Sequence, residues 1–185
     1  MLLIASGLLA VGIWVHLLAA RRAAWRSDPF DGRLDDWPPV VIVVPARNEE
    51  ATVAEAVASL ARQSYPGEFH IVLVDDASDD QTAARAGAAA PPSRLTVVHA
   101  GPLPPGWTGK LWAMAEGVRR AALRQPEYLL FTDADIVHPP CNLTRLVGRA
   151  QTENYALVSY MATLRCRTLA ERALVPAFVF FFFLL

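Results

Sequence analysis

No charge of either sign dominates this 185-residue chain. Lys and Arg number 17 against 18 Asp and Glu, a formal net charge of -1. Without a basic field there is no electrostatic footprint of the kind that holds a phosphodiester backbone, so nucleic acid is excluded as the expected partner. Cysteine is scarce too. Cys141 and Cys166 have neither a Cys-x-x-Cys spacing nor a neighbouring histidine pair, which excludes a zinc signature and a disulfide framework and predicts free thiols in a reducing compartment. His70, His99 and His138 are scattered over separate segments, and they read as structural. No repeat or low-complexity tract is present, and the length suits one α/β domain rather than two. No glycine-rich loop follows the first hydrophobic strand, where Pro45-Ala46-Arg47-Asn48-Glu49 stands instead. Any phosphate bound there must be neutralised by something other than a nest of backbone N–H groups.

Apolar sequence, by contrast, is plentiful at both ends. Met1 to Ala20 is apolar or small except for Ser6 and His16. As a helix it would extend about 30 Å, the thickness of a bilayer core, and it predicts a transmembrane anchor over residues 1–20. It lacks the basic start of a cleaved signal peptide. Arg21, Arg22 and Arg26 follow at once and favour a cytoplasmic location for the rest, with Trp25 suited to the headgroup layer. Residues 21–39, rich in Asp-Pro, Asp-Gly and Pro-Pro pairs, read as a linker. The tail, 168–185, carries Pro176 and four consecutive phenylalanines. It is too short to span and reads as interfacial, or as the start of a longer hydrophobic segment cut short.

Between these ends, 40–167 alternates strands with helices. Val40 to Val44, His70 to Val74, Leu95 to His99 and Tyr128 to Phe131 are β-branched or apolar runs of strand length. Val53, Val57, Leu60 and Ala61 recur at helical spacing, with Asn48 a candidate N-cap. Further helices are expected over Gln81 to Ala90, Lys110 to Arg124 and Asn142 to Thr152. Ala156 to Leu164 reads as one more strand, for which an antiparallel pairing is open. Such alternation predicts an α/β fold whose mostly parallel sheet is covered by helices on both faces.

Three polar clusters fall at the expected carboxyl ends of strands: Pro45 to Glu49, Asp75 to Asp80, and Asp133-Ala134-Asp135. In an open parallel sheet those ends share one rim, where ligands bind. Hard carboxylate oxygens there suit Mg²⁺ or Mn²⁺ against a diphosphate. Each cluster alone also fits a solvated, helix-capping turn. Their joint placement favours a site.

Val41 to Glu50, Val74 to Asp79, Gly109-Lys110 and Thr132-Asp133-Ala134-Asp135 occur in the order and spacing of the family 2 glycosyltransferases, which the chain resembles from about Val40 to Leu164. The loop from Gly101 to Ala113 is similar to that of the hopanoid-biosynthesis-associated members. The resemblance implies a GT-A-like fold binding a nucleotide-diphosphate sugar. Pro45, Arg47 and Glu49 would line the nucleotide pocket. Asp76, more than Asp75, would face the base, and Asp133 would contact the ribose. Asp135 would bind the divalent ion and Lys110 a phosphate. The acceptor expected is a hopanoid-like or other lipid at the membrane, reached with inversion.

That family's general base lies well downstream of Asp-x-Asp, before an Arg-x-x-Arg-Trp segment. After Asp135 the only carboxylates are Glu153 and Glu171, and no tryptophan follows Trp112. The catalytic base is therefore not in this chain, and a donor-binding fragment without transfer is a second reading. A sugar nucleotidyltransferase is a third, weakened by the missing glycine-rich loop.

Overall fold

The computed structural model describes residues 2–20, 34–164 and 166–184, in two compact units, Met1–Arg33 and Leu34–Leu185. Arg21, Arg22, Trp25, Arg26 and most of the expected linker lie outside the described residues.

In the first unit, helix α1 covers Leu2–Ala20, where the sequence predicts one. Leu8, Leu9, Val11, Ile13 and Val15 are exposed along it. Among the described residues no helix is long and apolar enough to cross a membrane. Over the expected transmembrane anchor, residues 1–20, the structure describes an apolar helix with an exposed surface.

The second unit is built on four parallel strands, β1 (Val40–Ala46), β2 (Phe69–Asp75), β3 (Leu95–His99) and β4 (Tyr128–Phe131), in the order β3-β2-β1-β4. Four of its helices alternate with the strands: α2 (Val53–Ala61), α3 (Thr82–Ala89), α4 (Gly109–Ala122) and α5 (Asn142–Glu153). The side-chain period of two explains why β1 and β2 are apolar without interruption. Val40, Ile42, Val44 and Ala46 pack with Val53, Val57, Leu60, Leu143 and Val147 on one face, under α2 and α5. Val41 and Val43 pack with Ala113 and Ala121 of α4 on the other. Helices thus cover both faces, as the alternation predicts. Gly117 is the point of closest approach, where a Cβ would collide with the side chain of Val43.

Pro45 sits in the middle of the sheet without breaking it. Ala46 O accepts from Asp76 N–H on the β2 side, while Val43 O accepts from Thr132 N–H on the β4 side. Pro45, two residues beyond Val43, therefore faces the β4 side, where the ladder has already ended at Phe131. No ladder hydrogen bond is lost to its missing N–H. The same parting of β1 from β4 opens the crevice, because the chain runs from β1 outward through β2 to β3 and then returns to the opposite side of β1, a topological switch point.

Two expectations are corrected. Asn48 does not cap α2, whose N-cap is Thr52; Asn48 takes a left-handed conformation, φ 54°, which asparagine tolerates better than most residues. Ala156 to Leu164 is not a strand. It pairs with no described strand, and its residues are almost all exposed, Leu157 at 83%; an isolated strand leaves its backbone groups and apolar face without partners. Helix α6 (Leu169–Leu184) then begins, with Pro176 inside it.

Candidate functional site

The rim starts from a lattice between the first two strand-to-helix loops. Asn48 N–H donates to Ser78 Oγ at 3.0 Å, and Asp79 N–H donates back to Asn48 Oδ1 at 2.9 Å. Glu49 N–H donates to Thr82 Oγ1 at 2.8 Å and Glu50 N–H to Asp80 Oδ2 at 3.2 Å, while Gln81 N–H donates to Glu50 Oε2 at 3.1 Å. The left-handed turns at Asn48 and Ala77 set these loops face to face. Asp80 also accepts from the Thr82 hydroxyl and backbone, which holds its carboxyl below the usual carboxylate range.

On this lattice the expected residues separate into two sets. Arg47, Asp76, Lys110 and Asp133 come together on the rim. Arg47 Nη1 lies 3.5 Å from Asp76 Oδ2, and Lys110 Nζ lies 2.7 Å from Asp133 Oδ1. Gly109 joins the two pairs, since Asp76 Oδ2 occupies the space where a Cβ would sit. The glycine is there for close approach. A line of charge therefore runs from the end of β1, across β2 and the start of α4, to the end of β4. Asp135 ends it, exposed and without an ion-pair or hydrogen-bond partner among the described residues.

Glu49 and Asp75 belong instead to the support. The Glu49 carboxylate accepts from the Thr52 hydroxyl at 2.9 Å, steadying the start of α2. Asp75 is 4% exposed and lies opposite His99 in the β2–β3 register, with His99 Nδ1 3.1 Å from its Oδ2. Its Oδ1 is buried without a partner, an arrangement that functional sites tolerate at a cost. His99, which reads as structural in the sequence, is the partner the sequence did not assign to Asp75. Its signal was positional, since it ends the strand next to the one Asp75 ends.

Asp133 and Asp135 flank Ala134, which is buried in the core cluster with Leu143 and Val147. The small residue plugs the turn into the domain, and the two carboxylates stay outside. In the loop before α4, Trp107 is 45% exposed and stacks edge-to-face on Trp112, with ring centroids 5.5 Å apart. Trp112 is the packing residue of the two: its indole N–H donates to Gly101 O at 2.9 Å and Arg119 lies over its ring. Leu103 and Leu111, from the same loop and the first turn of α4, are also exposed.

No group of three or more His, Cys, Asp or Glu able to hold a metal exists among the described residues. A single free carboxylate, Asp135, is nonetheless a suitable donor set for a small hard cation that keeps waters and takes its other oxygens from a diphosphate.

A glycosyl transferase family 2 profile matches residues 41–183, which takes in the four strands except Val40 and the whole rim. The chain belongs to glycosyl transferase family 2. An N-acetylglucosaminyltransferase of Mesorhizobium japonicum is 31% identical over 138 residues, 69% of this chain and 28% of that protein. One of Rhizobium leguminosarum bv. phaseoli is 42% identical over 55 residues, 29% of this chain and 13% of that protein. The chain thus spans less than a third of either relative's length. Among solved structures, the mannosyltransferase PcManGT from Pyrobaculum calidifontis, in complex with GDP-Man and Mn²⁺, is 29% identical with a TM-score of 0.54; the match covers 80% of this chain and 43% of that one.

Proposed function

We propose that this family 2 domain binds a nucleotide-diphosphate sugar in the crevice between β1 and β4 and, with Mg²⁺ or Mn²⁺, serves its transfer to a lipid acceptor. The observation that carries this reading is the continuous rim of Arg47, Asp76, Lys110 and Asp133 ending at an unpartnered Asp135. The order of its groups suits a ligand with a base at one end and a diphosphate at the other. Asp76, the more open of the paired aspartates, takes donors from the base, and Asp133 takes a ribose hydroxyl. Lys110 exchanges Asp133 for a phosphate oxygen, which an exposed ammonium on a flexible stem does at little cost. Asp135 holds the cation, which when bound offsets the charge that develops on the departing diphosphate. The solved mannosyltransferase, with its nucleotide sugar and Mn²⁺, supports the same donor class.

The lipid acceptor rests on exposed apolar surface: Leu103, Trp107 and Leu111 beside Lys110, the side chains of α1, and Leu169, Leu174 and Phe178 of α6. Apolar helices with exposed surfaces of this kind favour a lipid environment over water, and Arg21, Arg22 and Arg26 would favour an anionic cytoplasmic leaflet. A hopanoid-like or other polyprenoid-derived lipid fits that placement.

A specific observation favours a second reading, donor capture without transfer. Glu153 is paired with Arg149 at 3.2 Å. Glu171 accepts from the backbone N–H groups of Arg167 and Thr168, which holds its carboxyl below the usual range. Neither is available to deprotonate an acceptor hydroxyl.

Calorimetry with UDP-GlcNAc and GDP-Man separates the possibilities. Mn²⁺-dependent binding of either donor is expected for the native chain, with a loss of at least about tenfold in Asp135→Ala, a directly ligating residue. Undiminished binding in that variant would reject the scheme. Membranes supplied with labelled donor report the acceptor: organic-soluble product supports the lipid, and label confined to soluble polysaccharide rejects it.

A further inference from the structure

Asp135 has no side-chain partner, so only the backbone of its turn aims it. That backbone is clamped at both ends. His138 Nε2 lies 2.9 Å from Thr132 Oγ1, the first residue after β4, and closes the turn onto its own origin. His138 Nδ1 lies 2.9 Å from Asn142 Nδ2 at the start of α5. The His138 backbone N–H donates to Ser59 Oγ of α2 at 2.9 Å, and that hydroxyl donates to Ala56 O at 2.7 Å. Gln63 extends the clamp: its Nε2 donates to Pro139 O at 2.8 Å, and its Oε1 accepts from Leu143 N–H at 2.9 Å. One imidazole therefore ties β4 to α5, while its backbone ties the same point to α2.

We propose that His138 is the positioning residue of the metal corner, holding the turn from Asp133 to Val137 in the shape that presents Asp135 to a diphosphate-bound cation. This rests on the donor-binding reading above and assigns His138 a part in it. Chemistry fixes the ring. The groups that face it, Ser59, Thr132 and Asn142, are all uncharged. The Asn142 amide nitrogen can only donate, so Nδ1 accepts and Nε2–H donates to the Thr132 hydroxyl. The clamp is a neutral imidazole of one tautomer, the arrangement by which outer groups orient a metal ligand. Ala134 is the matching constraint from below, buried in the core between the two exposed aspartates.

The test uses the full chain and Mn²⁺ titrated by calorimetry in the presence of UDP and, separately, GDP. Thr132→Val removes the hydroxyl at nearly constant volume, Thr132→Ser retains it, and His138→Gln retains a donor. Thr132→Val is expected to weaken Mn²⁺ binding about tenfold or more, as loss of an outer-shell partner does. Metal-free nucleotide affinity should change by less than about twofold, since no contact to the base is altered. Thr132→Ser should restore native Mn²⁺ affinity, with His138→Gln between the two. Equal Mn²⁺ affinity in the native chain, Thr132→Val and His138→Gln would overturn the proposal while leaving the donor-binding reading intact. So would a loss of Mn²⁺ and metal-free nucleotide affinity by the same factor, which would mean a general loosening of the fold. A native chain that binds Mn²⁺ with neither nucleotide would overturn the donor-binding reading and this one with it.

Discussion

The two halves of the rim are built in opposite ways. On the β1–β2 side, six backbone N–H groups from two loops are each met by a side chain of the other loop or of the same turn, and the strands beneath are buried on both faces. On the β4 side the strand is short and its outer edge is unpaired among the described residues. Leu129 and Phe131, which the register places on the same face as Val41 and Val43, remain 37% and 43% exposed. The carboxylates there meet solvent, one lysine and a clamped turn. The difference teaches that hydrogen bonds between two loops hold the β1–β2 side together, whereas on the β4 side only the backbone of the turn is held and its charged side chains stay exposed.

The comparison breaks hardest at Asn48. Asn48→Ala removes the acceptor for Asp79 N–H and places an alanine in the left-handed region, a combined loss of about 1–3 kcal/mol. A clear fall in Tm is expected, with nucleotide affinity lowered because both loops shift. An unchanged Tm would show that the lattice is decorative. Acid comes next. Burial lowers the pKa of both His70, aided by Arg124 and Arg94, and His138. The unfolded chain then binds more protons than the folded one as pH falls below about 6.5, so stability is lost on the acid side and regained as pH rises. Urea titrations between pH 8 and 5 should show the midpoint falling, and His138→Gln should flatten part of that slope. The smallest effect on stability is expected on the open side. The Lys110–Asp133 pair is exposed on both partners, so Lys110→Ala should change stability by less than about 1 kcal/mol, while weakening binding of UDP or GDP. A large drop in Tm would mean that Lys110 holds the fold together rather than waiting for a phosphate.

Much of this was legible in the chain. β-branched or apolar runs of strand length and helical spacing between them sufficed for four strands and four helices, with β3 and β4 found at the same limits; β1 and β2, buried on both faces, cannot be anything but apolar. The motifs at strand ends identified the rim for a related reason: polar residues that end an apolar strand must sit where the sheet ends. What failed were features that depend on a partner. The strand expected at Ala156 to Leu164 has strand-forming residues but no described neighbour to pair with. Asn48 has the composition of a helix cap, yet its side chain is claimed by a loop about thirty residues away.

The sequence by itself determined that charged clusters stand at the ends of the strands, because strand periodicity and motif spacing are local properties of the chain. Only the tertiary structure decided their roles. It joined Asp75 to His99 through strand register and pressed Gly109 against Asp76. It gave Lys110 to Asp133 and left Asp135 alone in a turn that His138 holds. Those outcomes follow from distances between segments far apart in the chain, and no local pattern encodes a distance.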